Sequence, residues 1–103
     1  MHATATISTT TIASTATYEF VEGNVYFPAS SLTQDNPEIK FTPTSHSTHC
    51  PWKGDASYYD IEVKGQKYEN AAWYYPKTIT ERAKGLEGMV AFYKTKVKVE
   101  REE

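Results

Sequence analysis

His46, His49, Cys50, Lys53, Gly54 and Asp55 fall within one stretch, 46–55, that holds the single cysteine and two of the three histidines of this sequence. Cys50 is the obvious nucleophile, and it would need a base within hydrogen-bond reach and a lowered thiol pKa. His49 is its neighbour, but adjacent residues of an extended chain point apart, and Pro51 holds Cys50 extended. The plainer reading of Cys50 is a buried structural thiol. A metal could draw on His46, His49 and Cys50 together with Asp55 or Asp60. Structural zinc takes four ligands and catalytic zinc three, and no second CxxC or HxxxH supplies the remainder. Ordinary loop histidines explain the pattern, so no metal site is expected. Lys53-Gly54 could hold a phosphate or carboxylate against a close-approaching backbone. It is no Walker loop, and the plainer reading is a tight turn that needs Gly54 for positive φ, with Lys53 in water. As catalytic candidates His49, Cys50 and Lys53 are therefore weak.

The stronger candidate is a group of rings. Trp52, Tyr58, Trp73 and Tyr75, with Lys53 at the rim as an anion contact, would line a ligand pocket, because large rings with polar tips bury area and still offer a hydrogen bond. The competing reading is a core. Leucine occurs only at Leu32 and Leu86, so a domain of this composition has to build its interior from aromatics. Tyr26, Phe27, Phe92 and Tyr93 read simply as core.

These residues need strands to position them. The chain has 103 residues, the size of one domain. At that size it can bury roughly two-thirds of its unfolded surface without covalent staples. Eight tyrosines and abundant Thr and Ser favour pleated, half-buried surfaces over helices. Residues 3–17 are rich in Ser and Thr, yet Ile7 and Ile12 flank a polar stretch, and an opening hairpin is expected there. Short strands are expected at 18–21 and 25–27, with Gly23-Asn24 as the turn and Pro28 as the stop. The segment 29–49 reads as the longest irregular stretch, broken by a short strand at 39–42.

The clearest element is a hairpin of 56–63 and 66–75 joined at Lys64-Gly65, with Val63 opposite Gln66. One face carries Ser57, Tyr59, Ile61, Val63, Tyr68, Ala72 and Tyr74. The other carries Asp60, Glu62, Lys67 and Glu69 near the turn and Ala56, Tyr58, Ala71, Trp73 and Tyr75 farther away. That second face should be solvated at one end and sheltered at the other. The register has one flaw, since Asp60 would face Glu69. After Pro76 a short helix is expected over 79–86, with Thr78 as N-cap and Glu81 completing a capping box. Strands at 89–93 and 97–100 and a charged tail, Arg101-Glu102-Glu103, close the chain.

Net charge is −2 with no basic run, which argues against a nucleic-acid platform. No apolar stretch approaches the ~18–20 residues of a membrane span, no signal peptide is visible, and a single cysteine suits a reducing, cytoplasmic setting. No cofactor motif is present.

Several blocks resemble a known signature. Val21-Glu22-Gly23-Asn24-Val25-Tyr26-Phe27-Pro28 is followed by Thr48-His49-Cys50-Pro51-Trp52-Lys53-Gly54-Asp55-Ala56-Ser57-Tyr58-Tyr59. Ala71-Ala72-Trp73-Tyr74-Tyr75-Pro76 and Gly88-Met89-Val90-Ala91-Phe92-Tyr93 come next, in order. Together they resemble domain-of-unknown-function family 427 (DUF427) over about residues 4–99. The resemblance implies a small, mostly β domain of bent antiparallel sheets, β-tent-like, with one short helix. That broad architecture includes aromatic-lined pockets and zinc-bearing modules, and some family members carry a nucleotidyltransferase label. The family supplies a fold more than a chemistry. Three functions compete: a small-molecule-binding module, a Cys/His/Lys-based transferase, and a Tyr-rich interaction domain that pairs with a protein or a second copy. The scarcity of clustered carboxylates counts against magnesium-dependent nucleotidyl transfer. The binding module fits the residues best.

Overall fold

A computed structural model of the chain describes residues 2–102 and contains nine strands, all paired antiparallel. The Thr-rich opening is the expected hairpin: β1 (His2–Ile7) pairs with β2 (Thr10–Thr15). Alternation puts Ala3, Ala5 and Ile7 inside and leaves threonines outside, where β-branched hydroxyl side chains suit a pleated surface. β3 (Glu19–Val21) and β4 (Asn24–Tyr26) form a separate two-stranded ribbon. Its turn is Glu22-Gly23, both at positive φ, so the loop sits one residue earlier than Gly23-Asn24. Two consecutive residues with φ > 0 match the right-handed twist of the flanking strands.

The segment expected to be irregular is largely a strand. β5 spans Ile39–Cys50, twelve residues, and pairs with β6 (Gly54–Val63) across a register break between Pro43 and Ser47. Proline cannot donate to a ladder, and β5 tolerates Pro43 because it is the edge of its sheet, whose order is β5-β6-β7-β8. Irregular chain is confined to the stretch before Ile39, around a 3-10 turn at Ala29–Ser31.

β6 and β7 (Gln66–Tyr74) join at Lys64-Gly65, both at positive φ, with Val63 opposite Gln66 as expected. The like-charged pair of Asp60 and Glu69 never forms. The register shifts by two residues between Tyr59 and Ile61, and Asn70 takes φ 47°. Its N–H donates to Asp60 Oδ1 at 2.8 Å. A shift of two preserves parity, so Tyr58 still shares its side of the sheet with Trp73, and Tyr59 with Ala72. Ala71 is the one residue of the predicted faces that moves, joining the core beneath the opposite face.

The helix after Pro76 is a 3-10 turn, Glu81–Leu86. Thr78 does not cap it; its N–H and hydroxyl both donate to Glu87 Oε2, at 2.9 and 3.1 Å. β8 (Val90–Phe92) extends the sheet beside β7, whereas β9 (Lys98–Glu102) crosses to pair with β1. The expected charged tail is thus part of a strand as far as Glu102; Glu103 lies outside the described residues.

The central sheet separates two cores. Ile61, Val63, Ala71 and Ala72 pack with Ile7, Ile12, Phe27, Phe92 and Val97 on one side. On the other, Tyr26, Ala56, Tyr58, Tyr75, Leu86 and Ala91 form a smaller, ring-rich core. Tyr26, the last residue of β4, and Phe27, which follows it, serve both: each is fully buried, and they point into different cores. Among the described residues, no helix is long and apolar enough to cross a membrane.

Candidate functional site

The β5–β6 corner is closed by Pro51, Trp52 and Lys53, with Cys50 opposite Gly54. Gly54 has φ 120°, and a Cβ there would lie 2.9 Å from the Lys77 carbonyl oxygen. Only glycine fits both conditions. The close approach lets the chain after β7 fasten to the corner. Ile79 N–H donates to the Lys53 carbonyl at 3.2 Å, and Thr80 Oγ1 donates to the Trp52 carbonyl at 2.7 Å.

Lys53 is neither at a rim nor in water. It is 6% exposed, and among the described residues it is the one charged side chain that is buried. Its ammonium stands 5.2 Å from the Trp52 ring centroid, 5.6 Å from Tyr75 and 6.0 Å from Tyr26, within cation–π range of all three. Its carboxylate partner is Glu22, delivered by the β3–β4 turn. Burial, the largest single influence, pulls the Lys53 pKa down, but the hydrogen bond to Glu22 together with the charge interactions with Tyr26, Tyr75 and Glu22 outweighs it, and the net shift is upward. The same bond, ahead of every other cause, holds the Glu22 carboxyl below its ordinary value. Arg82, from the 3-10 turn, sits 4.3 Å over the Trp52 ring.

The structure brings the predicted ring set to one side of the sheet. Tyr58 and Tyr75 are buried and Trp73 is half-buried. Tyr26 and Trp73 meet edge to face at 6.3 Å, with Trp73 Nε1 donating to Tyr26 OH at 3.4 Å. Tyr93, expected in the core, is 39% exposed and tilts onto Trp73 at 4.8 Å. Tyr58 OH shares hydrogen bonds with Thr48 Oγ1 at 2.9 Å and with Tyr93 OH at 3.4 Å, and its ring meets His46 at 4.5 Å. The space among Tyr26, Trp52 and Tyr75 is occupied by the Lys53 side chain itself.

His49 and Cys50 diverge, as neighbours on a strand should. Cys50 is half-buried against the ring-rich core. His49 is on the open side, its Nδ1 2.8 Å from Asp55 Oδ1. His49 and Asp55 line a cleft of about 330 Å³ with Ser57, Pro76, Lys77 and Ile79. Asp60 is committed to Asn70 and Lys67, away from the histidines. Among the described residues, no group of three or more His, Cys, Asp or Glu side chains is placed to hold a metal ion.

Sequence reasoning missed Glu22, Tyr26, Tyr93 and Arg82. Tyr26 and Tyr93 are visible in the sequence as rings, but nothing there shows that Tyr26 enters the ring-rich core while Tyr93 stays exposed beside Trp73. Glu22 lies 31 residues from Lys53, on a turn whose composition reports only its geometry.

A family model described as a domain of unknown function (DUF427) matches residues 1–103, the whole chain. No curated protein matches it.

Proposed function

The chain belongs to the DUF427 family, whose description states no activity, and we propose from its site that it is a small-molecule-binding module for an anionic, ring-bearing ligand. The ligand's carboxylate or phosphate takes the place of Glu22 on Lys53, and its ring lies against Trp52 and Trp73.

One observation carries this reading. A buried lysine is held among three rings, yet its counter-ion is a residue more than half exposed, borne on a tight turn of a different sheet. Burying a cation is costly, and apolar residues of the same volume commonly serve stability as well or better. A cation kept in such a place with a solvent-facing partner is suited to exchanging that partner. The surrounding indole and phenol rings favour a flat ligand and exclude water from the charge, strengthening its pull on an incoming anion.

The test is a titration followed by tryptophan emission, since both tryptophans belong to the site. Phenyl phosphate should change emission saturably, inorganic phosphate should bind more weakly, and phenol should have little effect. Lys53→Met should abolish the phenyl phosphate response in a folded protein. An equal response in that variant, or none in the parent, would remove the proposal.

A further inference from the structure

The 3-10 turn Glu81–Leu86 sets Arg82 beside the Lys53 corner. Ala83 and Leu86, three residues apart, turn inward together at the 3-10 repeat and are buried, which leaves Arg82 on the exposed side. The entry to the turn is tied to the corner by the bonds of Ile79 and Thr80 to the carbonyls of Lys53 and Trp52. We infer that Arg82 makes the site selective for a dianionic phosphate monoester borne on an aromatic ring. The inference rests on the anion-binding reading of Lys53 and narrows its ligand class.

The charges that meet at the corner do not balance. Lys53 and Arg82 both hold their cations within 5.2 Å of the Trp52 ring centroid, and Glu22 is the carboxylate paired there. Among the described residues the Arg82 guanidinium makes no ion pair and donates no hydrogen bond; its contact is the Trp52 ring. Glu81, its chain neighbour, is not paired with it or with Lys53. Glu22 nonetheless feels the second cation, since Arg82 helps to hold that carboxyl below its ordinary value. Arg82 is thus within electrostatic range of the seat that Glu22 occupies, with donors that no protein group uses.

Glu22 also sets the terms on which a ligand can enter. A monoanionic carboxylate from solution offers Lys53 only what Glu22 already supplies at the high effective concentration of a tethered group. A competitor has to bring something further. A phosphate monoester brings close to two negative charges at neutral pH and three acceptor oxygens. One oxygen serves Lys53 and the others are free for Arg82. A guanidinium stacked on a ring keeps its N–H fork pointing sideways, in the plane where two phosphate oxygens can accept at once. A phosphate diester keeps a single charge, so it competes with Glu22 on no better terms than a carboxylate does.

The experiment compares two ligands that carry the same ring. Phenyl phosphate and its monoanionic diester, methyl phenyl phosphate, are titrated into the full chain by calorimetry. Phenyl phosphate should bind at least about tenfold more tightly, the scale of one charge-assisted hydrogen bond. Arg82→Gln should weaken phenyl phosphate by about tenfold and leave the diester within about twofold, so that the gap closes. Arg82→Lys, which restores the charge without the fork, should recover part of it. If Arg82 only braced Trp52, Arg82→Gln would weaken both ligands alike, and that result overturns the inference. So does a diester that binds the parent as tightly as phenyl phosphate. In both of these cases, loss of phenyl phosphate binding in Lys53→Met would leave the anion-binding reading of the corner standing. A parent that does not bind phenyl phosphate removes the two together.

Discussion

Lys53 and Glu22 form an ion pair whose halves have opposite surroundings, the ammonium side chain 7% exposed and the carboxylate side chain 56%. The asymmetry separates two substitutions that a symmetric pair would not. Lys53→Met replaces the cation by an apolar chain of similar volume among three rings, so thermal stability should hold or rise. Glu22→Gln leaves the buried cation without its carboxylate and should lower Tm.

The pH dependence follows the same pair. Glu22 titrates below its ordinary value when folded, so its contribution is present above the normal carboxylate range and is lost as pH falls through the folded pKa. The acid limb of a Tm-against-pH curve should therefore be shallower in Glu22→Gln. Identical acid limbs would show that the pair does not contribute to folding.

Two phenols should titrate late. Burial pushes Tyr75 up to about 12 despite the nearby Lys53 charge, and the hydrogen bond with Tyr58, followed by burial, takes Tyr93 to about 12. Both are raised above the ordinary value of about 10. Their contribution to stability is intact below pH ~10 and is lost as pH rises through the folded values near 12. Tyrosinate absorbance should show a late step that shrinks in Tyr93→Phe. A single transition of all tyrosines near pH 10 would refute it.

Gly54→Ala tests whether the corner is as tight as its geometry implies. The new Cβ would stand 2.9 Å from the Lys77 carbonyl at φ 120°, where side chains are strained. The cost should be about 1–3 kcal/mol, which in a domain of this size lowers Tm by roughly 4–8 °C for each kcal/mol. The Lys53 carbonyl to Ile79 N–H bond is the first to suffer. An unchanged Tm would mean the chain after β7 moves freely away from the corner.

The sequence made the pairing of β6 with β7 legible because Lys64-Gly65 fixes the loop and a two-residue alternation fixes the faces. Tyr58, Trp73 and Tyr75 were assigned to a sheltered side on that basis, and they lie there. β5 was not legible over its full length, since Pro43 and a run of Ser, Thr and His read as loop unless the strand is known to be an edge. Lys53 was misjudged for a different reason. A lysine after a turn tryptophan is ordinarily solvated, and its burial depends on Glu22 and Tyr26 arriving from a ribbon whose position no local pattern encodes. Thr78 has the composition of a cap, but Glu87 offers it a stronger, charged acceptor.

Asp60 offers a test of how the register break is held. Its side chain is 16% exposed and has two roles: Oδ1 accepts the N–H of Asn70, and Oδ2 lies 3.5 Å from the exposed ammonium of Lys67. Asp60→Asn keeps an acceptor for the amide and loses only the ion pair, which with Lys67 57% exposed contributes no more than about 1 kcal/mol. Asp60→Ala also strands the Asn70 N–H in a part-buried setting, adding a penalty of about 1–3 kcal/mol. Asn70 is held at positive φ where asparagine is tolerated but not favoured, so losing this bond should loosen the two extra residues of β7. Denaturant unfolding should rank the parent slightly above Asp60→Asn and both well above Asp60→Ala, with Asn70 amide exchange accelerated only in the alanine variant. If asparagine and alanine are equally destabilising, the charge on Asp60 holds the break and the hydrogen bond does not.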